Sequence, residues 1–263
     1  MWEKNNMNEH FDIMGKNIVI TGACGGIGKC VVKSMAQNGA NLVLIGRNMD
    51  KLEALKAELG ETKTTLISAD LSKIEDVTRC VAEIEEKVGT VDVLINSAGT
   101  NIRKHFLEVE PQDYDTVMDL NAKGLYFLSQ GIAKLMAKEN KGKIINIASL
   151  NTFIALSTVS IYAASKGAVG QMTKAMAVDL ARYNIQVNAV APGFIQTPFN
   201  ELLWGNPEKN AWISERTLAK RFGVPEDLTG TVQFLASKAS DFMTGQVLLV
   251  DGGFLTGADT LFG

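Results

Sequence analysis

Cysteine and histidine are scarce in this chain of 263 residues, which holds three of the first and two of the second. Cys24, Cys30 and Cys80 show no paired spacing. An odd count without a secretion signal argues against a disulfide scaffold and suggests reduced thiols in a cytoplasmic protein. His10 and His105 are too few and too far apart for a histidine metal site, so no metal is expected. An excess of one charge is also missing. The 26 Lys and Arg against 29 Asp and Glu leave a net charge of -3, and the basic residues are scattered, which argues against nucleic acid as a partner. No apolar run approaches the roughly 20 residues needed to span a bilayer, so no membrane partner is expected. The opening stretch MWEKNNMNEHFDIMG is polar and lacks the apolar core of a signal peptide. Residues 1–14 are expected to be a short tail ahead of the first strand. With no internal repeat, low-complexity tract or linker, residues 1–263 are expected to form one domain.

What is present is a regular alternation. NIVIT (17–21), LVLIG (42–46), TTLIS (64–68), VDVLIN (91–96), KIINIA (143–148), IQVNAVA (185–191) and QVLLV (246–250) read as strands. Each is apolar on both faces, as strands covered by helices on both sides must be. Amphipathic stretches lie between them: Ile27–Asn38, Met49–Leu59, Ile74–Val88, Ala122–Glu139 and Tyr162–Tyr183. Repeated strand–helix–strand units imply right-handed crossovers and a parallel sheet. The expected fold is α/β, a doubly wound (Rossmann) seven-stranded parallel sheet with helices on both faces. Ligands of such folds bind at the carboxyl ends of the strands.

The first strand runs into TGACGGIG. Gly22, Gly26 and Gly28, with Cys24, Gly25 and Ile27 between them, form a turn that lets backbone approach a pyrophosphate at a helix N-terminus. The spacing G-x3-G-x-G differs from the common dinucleotide fingerprint, and a plain connecting loop is the bland alternative. The second strand ends in LVLIGRN. Gly46 stands where a carboxylate would hold the ribose hydroxyls of NAD, and Arg47, with Asn48 beside it, follows. A small residue and then a guanidinium suit a 2′-phosphate, so NADP(H) is expected with NAD(H) as the alternative; Arg47 could instead be a solvated surface charge. Asp70, followed by Leu71, ends the third strand where a short acid could accept from an adenine amine. Asn96, Ala98 and Gly99 end the fourth, where small residues would let a ribose lie against backbone.

SIYAASKGAV places Tyr162 and Lys166 four residues apart, on one face of a helix. An ammonium beside a phenol is expected to lower a pKa that is ordinarily roughly 10. Tyr162 then serves as general acid in ketone reduction and as base in alcohol oxidation. Ser149, at the end of the fifth strand, could hydrogen-bond the substrate oxygen as charge develops. The Asn121 amide could hold a water leading to Lys166. Singly, each has a structural reading: a cap, a helix-interior hydrogen bonder, a core-edge aromatic.

Together TGACGGIG, NSAG, Asn121, Ser149, YAASK and NAVAPGFIQTP resemble the short-chain dehydrogenase/reductase family along essentially the whole chain. The resemblance implies Asn121, Ser149, Tyr162 and Lys166 as the catalytic four, and hydride transfer between nicotinamide C4 and a carbinol carbon. It implies that Pro192, Gly193, Ile195 and Thr197 border the nicotinamide, with Tyr162 and Lys166 also meeting the cofactor. The family usually has a second Asn where this chain has Ser97. Residues of about 194–222 are expected to form a substrate loop closing as a lid. Within the family, several stretches look like gluconate 5-dehydrogenases and 2-deoxy-gluconate 3-dehydrogenases, so the expected substrate is a sugar acid such as gluconate or 5-ketogluconate. Arg103 in the basic cluster Arg103, Lys104 and His105 could hold its carboxylate; Asn151 and Trp204 are further candidate substrate contacts. The alternatives are a 3-oxoacyl-carrier-protein reductase, a reductase of another small ketone and, more remotely, a non-catalytic nucleotide sensor. The resemblance also implies a homotetramer.

Overall fold

The computed structural model describes residues 7–257. The elements follow in the order α1 (Met7–His10), β1 (Asn17–Thr21), α2 (Gly26–Gln37), β2 (Asn41–Gly46), α3 (Met49–Glu58), β3 (Thr64–Ser68), α4 (Ile74–Lys87) and β4 (Val93–Asn96). Then come α5 (Pro111–Met118), a π-helical turn at Asp119–Gly124, α6 (Leu125–Lys138), β5 (Gly142–Ile147), α7 (Ser160–Leu180) and β6 (Ile185–Pro192). The chain closes with α8 (Glu201–Trp204), α9 (Pro207–Arg216), α10 (Glu226–Ala236) and β7 (Val247–Val250). All seven strands pair in parallel in the order β3-β2-β1-β4-β5-β6-β7. The reversal of direction falls between β1 and β4, the place where a doubly wound sheet opens a crevice for a ligand.

Alternate residues of each strand feed two cores, one on each face of the sheet. Val19, Val43, Leu94, Ile144 and Val187 pack beneath α4, α6 and α7, through Val77, Leu128 and Val169 among others. Ile18, Ile20, Leu44, Ile95 and Ile145 pack against α2, α3 and α10, through Val31, Leu52 and Val232. Among the described residues no helix is long and apolar enough to cross a membrane.

Two departures from the sequence reading concern the ends. The inner part of the expected tail is held down: Ile13 is fully buried and the Phe11 ring lies 6.3 Å from that of Phe234. An apolar residue at every second position, Phe11 and Ile13, was the available signal. Residues 1–6 of that segment lie outside the described residues. The segment expected as a lid carries two short helices, α8 and α9, joined at Asn206, whose side chain accepts from the Lys209 amide and caps α9.

The turn after β1 is tightly packed. Gly22 sits at φ +62°, and a Cβ there would lie 2.8 Å from the Ala98 backbone. A Cβ on Gly28 would run into the Gly22 carbonyl oxygen. Neither neighbour is a side chain that could swing aside. Gly28→Ala is therefore expected to destabilise the fold by about 1–3 kcal/mol, the usual range for forced overpacking. Scanning calorimetry checks this; an unchanged midpoint would show that the turn is looser than this packing requires.

Candidate active site

The carboxyl ends of β1, β4, β5 and β6 and the start of α7 enclose a cleft of ≈ 460 Å³. Its floor is the glycine turn. Gly25 is the N-cap of α2, with no side chain capping it and no acid in the first turn, so the leading amides face the cleft mouth unopposed. A Cβ on Gly26 would lie 2.8 Å from Thr197, so only a bare backbone fits between the two walls. A phosphate-bearing dinucleotide suits this cradle: amide donors at a helix N-terminus, no carboxylate, and no side chain between ligand and backbone.

The opposite wall carries the catalytic candidates, and Asn121 organises it. The π-helical turn presents its buried side chain across three elements. The Thr100 amide donates to Asn121 Oδ1 at 2.8 Å, and Asn121 Nδ2 donates to the Thr100 carbonyl at 2.9 Å and to Ser165 Oγ at 3.0 Å. Ser165 Oγ in turn donates to the Tyr162 carbonyl at 2.8 Å. Both the oxygen and the nitrogen of this amide are engaged by protein, so Asn121 fixes the loop after β4 against α7.

Ser149 leaves β5 in extended conformation and caps the short 3-10 turn Leu150–Thr152, its Oγ accepting from the Asn151 amide at 3.1 Å. The same hydroxyl lies near enough to the Tyr162 phenol to favour its ionised form. Lys166 is buried, at 5% exposure. Its Nζ donates to the Ile147 carbonyl at 2.7 Å and stands 5.7 Å from the centre of the Tyr162 ring. Burial pushes the Lys166 ammonium down to about 8. For Tyr162 the direction differs from expectation. Burial raises the phenol above its ordinary value; the Ser149 hydroxyl and the Arg103 charge pull it back. The expected lowering by Lys166 is thus corrected: burial outweighs the charges acting on the phenol, and the ammonium is engaged by a main-chain carbonyl.

Other predicted residues fall into two groups. Cys24, Gly25, Gly26, Ile27, Gly28, Gly99, Arg103, Asn151, Pro192, Gly193, Ile195 and Thr197 line the cleft together with Ser149, Tyr162 and Lys166. The second group does not line it. Asn96 is buried beneath the sheet edge, its Nδ2 donating to Ser129 Oγ and Asn146 Oδ1, both at 2.9 Å; as a cofactor contact it is corrected to a core residue. Leu71 likewise belongs to the core, and its carbonyl abuts Gly124. Asn48 caps α3, its side chain accepting from the Lys51 amide at 2.9 Å. Asp70 Oδ1 accepts from the Ser72 hydroxyl at 2.8 Å and so holds its own turn. The Ala98 amide donates to Thr21 Oγ1 at 3.0 Å, under Gly22. Arg47 stands at the end of β2, outside the cleft proper. Trp204 is corrected from a substrate contact to a support: its indole N–H donates to the Thr197 carbonyl at 2.9 Å.

The sequence reading missed Lys51, Asn101 and Phe199, all of which line the cleft. Lys51 lies in the first turn of α3, close enough to Cys24 to act on its thiol. The cap at Asn48 was the signal available for it. Phe199 packs on Tyr162, ring centres 5.9 Å apart, a contact made from the lid segment that no local pattern announces.

Comparison with known proteins agrees with this geometry. A family model described as enoyl-(acyl carrier protein) reductase, within the short-chain dehydrogenase group, matches residues 22–255. The 5-keto-D-gluconate 5-reductase of Escherichia coli K12 is 37% identical over 251 residues, covering 95% of this chain and 99% of that one. The 2-dehydro-3-deoxy-D-gluconate 5-dehydrogenase of the same organism is 40% identical over 248 residues, covering 93% and 97%. The crystal structure of a gluconate 5-dehydrogenase from Burkholderia cenocepacia J2315, in complex with NADP and tartrate, superposes with a TM-score of 0.91 at 36% identity, covering 95% and 99%. Matched along nearly its full length, with Ser149, Tyr162 and Lys166 gathered at one sheet edge, the chain is an oxidoreductase and belongs to the short-chain dehydrogenase/reductase family.

Proposed function

We propose that this protein transfers hydride between NADP(H) and the secondary alcohol or ketone of a sugar acid, of which gluconate and 5-ketogluconate are the nearest examples. The observation that carries the reading is the convergence of Ser149, Tyr162 and Arg103 on one cleft whose other wall is the glycine cradle. The relatives' activities on keto- and deoxygluconates support the same substrate class.

In this reading Ser149 and Tyr162 bracket the substrate oxygen. A dinucleotide held by the glycine turn would contribute hydride chemistry at its nicotinamide. Tyr162 gives its proton to the oxygen in reduction and takes it back in oxidation. Ser149 holds the same oxygen as charge develops on it and orients the phenol. Lys166, fixed by the Ile147 carbonyl, places a cation under the ring and beside the ribose side of the cleft. Arg103 lies at the wall with a guanidinium whose charge reaches Tyr162; it holds the substrate carboxylate. Pro192, Gly193, Ile195 and Thr197 close off the nicotinamide end, and Phe199 covers Tyr162 and keeps water away from the transfer.

Preference for NADP(H) rests on the mouth of the cleft. Gly46 offers no carboxylate there, and two cations, Arg47 and Lys51, have no ion-pair partner among the described residues. Their neighbours Lys29 and Lys33 are instead tied to Glu58, each at 2.7 Å. A homotetramer in the cytoplasm completes the reading. Exposed Tyr126 and Phe127 on α6 with Val178 on α7 supply one apolar face, and exposed Phe242 and Leu249 another.

The direct test follows NADPH absorbance with D-gluconate and 5-ketogluconate as substrates. The wild-type enzyme is expected to turn both over, and Tyr162→Phe to lose about 10²–10⁴-fold in kcat, the usual worth of a positioned proton donor. Turnover of Tyr162→Phe near the wild-type rate would remove the acid–base role. Fluorescence titration is expected to show NADPH binding at least about tenfold more tightly than NADH, the scale of one charge-assisted contact. Lys51→Ala should narrow that gap, and equal affinities in the wild type would reject the cofactor assignment. Lys166 holds its proton less tightly in the fold, at about 8 against 10.5, than in the unfolded chain. Its contribution to stability therefore rises as pH rises from about 8 to 10.5. Lys166→Met should stabilise the fold at pH 7 by up to about 3 kcal/mol. Urea unfolding should show the difference vanishing above that window, while catalysis is lost.

A further inference from the structure

Among the described residues two buried side-chain oxygens have no hydrogen-bond partner, Asn96 Oδ1 and Asn101 Oδ1. The first lies beneath the sheet. The second is in the wall of the cleft, two residues before Arg103 and in the same cavity as Ser149 and Tyr162. An unmet buried acceptor is expensive in a native protein and calls for an explanation. The backbone of its loop is held, so only the side chain can turn to bring this oxygen to a donor. Thr100, just before it, is held through both its amide and its carbonyl by Asn121. Just after it, the Lys104 amide donates to the Thr158 carbonyl at 3.0 Å, and Lys104 Nζ donates to Asp113 at 2.7 Å. The backbone on both sides of Asn101 is thus fixed, and rotation of its side chain amide alone presents the oxygen to the cleft.

We propose that Asn101 reads a hydroxyl group of the substrate, and that with Arg103 it forms a two-point subsite for polyhydroxy acids. The inference rests on the sugar-acid reading and deepens it. A carboxylate satisfies Arg103, a hydroxyl donates to Asn101 Oδ1, and the reacting oxygen is left for Ser149 and Tyr162. Three fixed points define the orientation of a flexible open-chain acid. They also set which carbinol faces the hydride. A ketone or acyl chain with no hydroxyl leaves the buried oxygen unmet, and such a site discriminates strongly against a ligand lacking the matching group. The cofactor has no need of this acceptor in the reading above, which gives it the glycine turn, Lys166 and the wall formed by Pro192, Gly193, Ile195 and Thr197.

The test uses the full-length protein and two probes, D-gluconate and cyclohexanol, with NADP+ as oxidant. Asn101→Leu keeps the side-chain shape and removes the acceptor; Asn101→Ala serves if that variant folds poorly. The expected result is a fall of about tenfold or more in the ratio of kcat/KM for gluconate to kcat/KM for cyclohexanol, the scale of one lost hydrogen bond. The fall should sit mainly in KM. NADPH affinity by fluorescence should stay within about twofold, and the thermal midpoint should hold or rise, because an unmet buried acceptor has been removed. An unchanged ratio overturns the proposal. So does a parallel loss of NADPH affinity, which would make Asn101 a cofactor contact, or a lowered midpoint with equal losses on both substrates, which would make it structural. A wild-type enzyme that oxidises cyclohexanol and not gluconate overturns the sugar-acid reading itself, and this subsite with it.

Discussion

The active cleft hangs on one buried amide. Asn121 is fully enclosed and ties three separate segments: the loop after β4 through Thr100, the catalytic helix α7 through Ser165, and its own π-helical turn. A regular α-helix running from α5 into α6 would not place this side chain between the two. The extra residue of the π turn re-aims it, which is the common use of such turns at functional sites. From there the order propagates. Ser165 holds the Tyr162 carbonyl, Gly99 brings its backbone within reach of both Asn121 and Lys166, and the loop carrying Asn101 and Arg103 starts from a fixed point. Removing the amide would release the loop after β4 and α7 from each other.

Burial sets the electrostatics of the site and works against the protein's stability there. The same dry environment raises the Tyr162 phenol and lowers the Lys166 ammonium, because each charged form loses water. A phenol above its ordinary value is a better keeper of its proton than the isolated side chain, and needs compensating charge to release it. The Ser149 hydroxyl and the Arg103 guanidinium supply part of that compensation. Arg103 therefore acts on the phenol, and in the proposed function it serves a substrate carboxylate as well. Sites that hold unmet acceptors and half-dehydrated cations are less stable than the same volume filled with hydrocarbon, the usual trade between activity and stability.

Much of this was legible in the residues. The strand expected at 17–21 is β1 and the one at 64–68 is β3, residue for residue; the others differ by one or two residues at an end. The inner strands are buried on both faces and the edge strands β3 and β7 only in part, so the inner apolar runs are continuous and end abruptly where polar turns begin. The glycine turn and the Tyr162–Lys166 spacing were equally plain, since both follow from local geometry. What stayed hidden is long-range. The side chain of Asn96 turns under the sheet because Ser129 and Asn146, 33 and 50 residues away, offer partners there. Trp204 supports Thr197 rather than substrate, and Phe199 comes back over Tyr162, through a fold of the lid that no repeat or period encodes.

The sequence by itself determined the parallel seven-stranded sheet, the glycine turn after β1 and the placing of Tyr162 and Lys166 on one helix. Periodicity and backbone sterics act over a few residues, and a parallel sheet then forces all strand ends to one edge. Tertiary structure alone decided which side chains face the cleft and what charge they carry. Burial, the direction of each pKa and the presence of an unmet acceptor at Asn101 depend on what surrounds a residue in space. Those neighbours come from segments far apart in the chain.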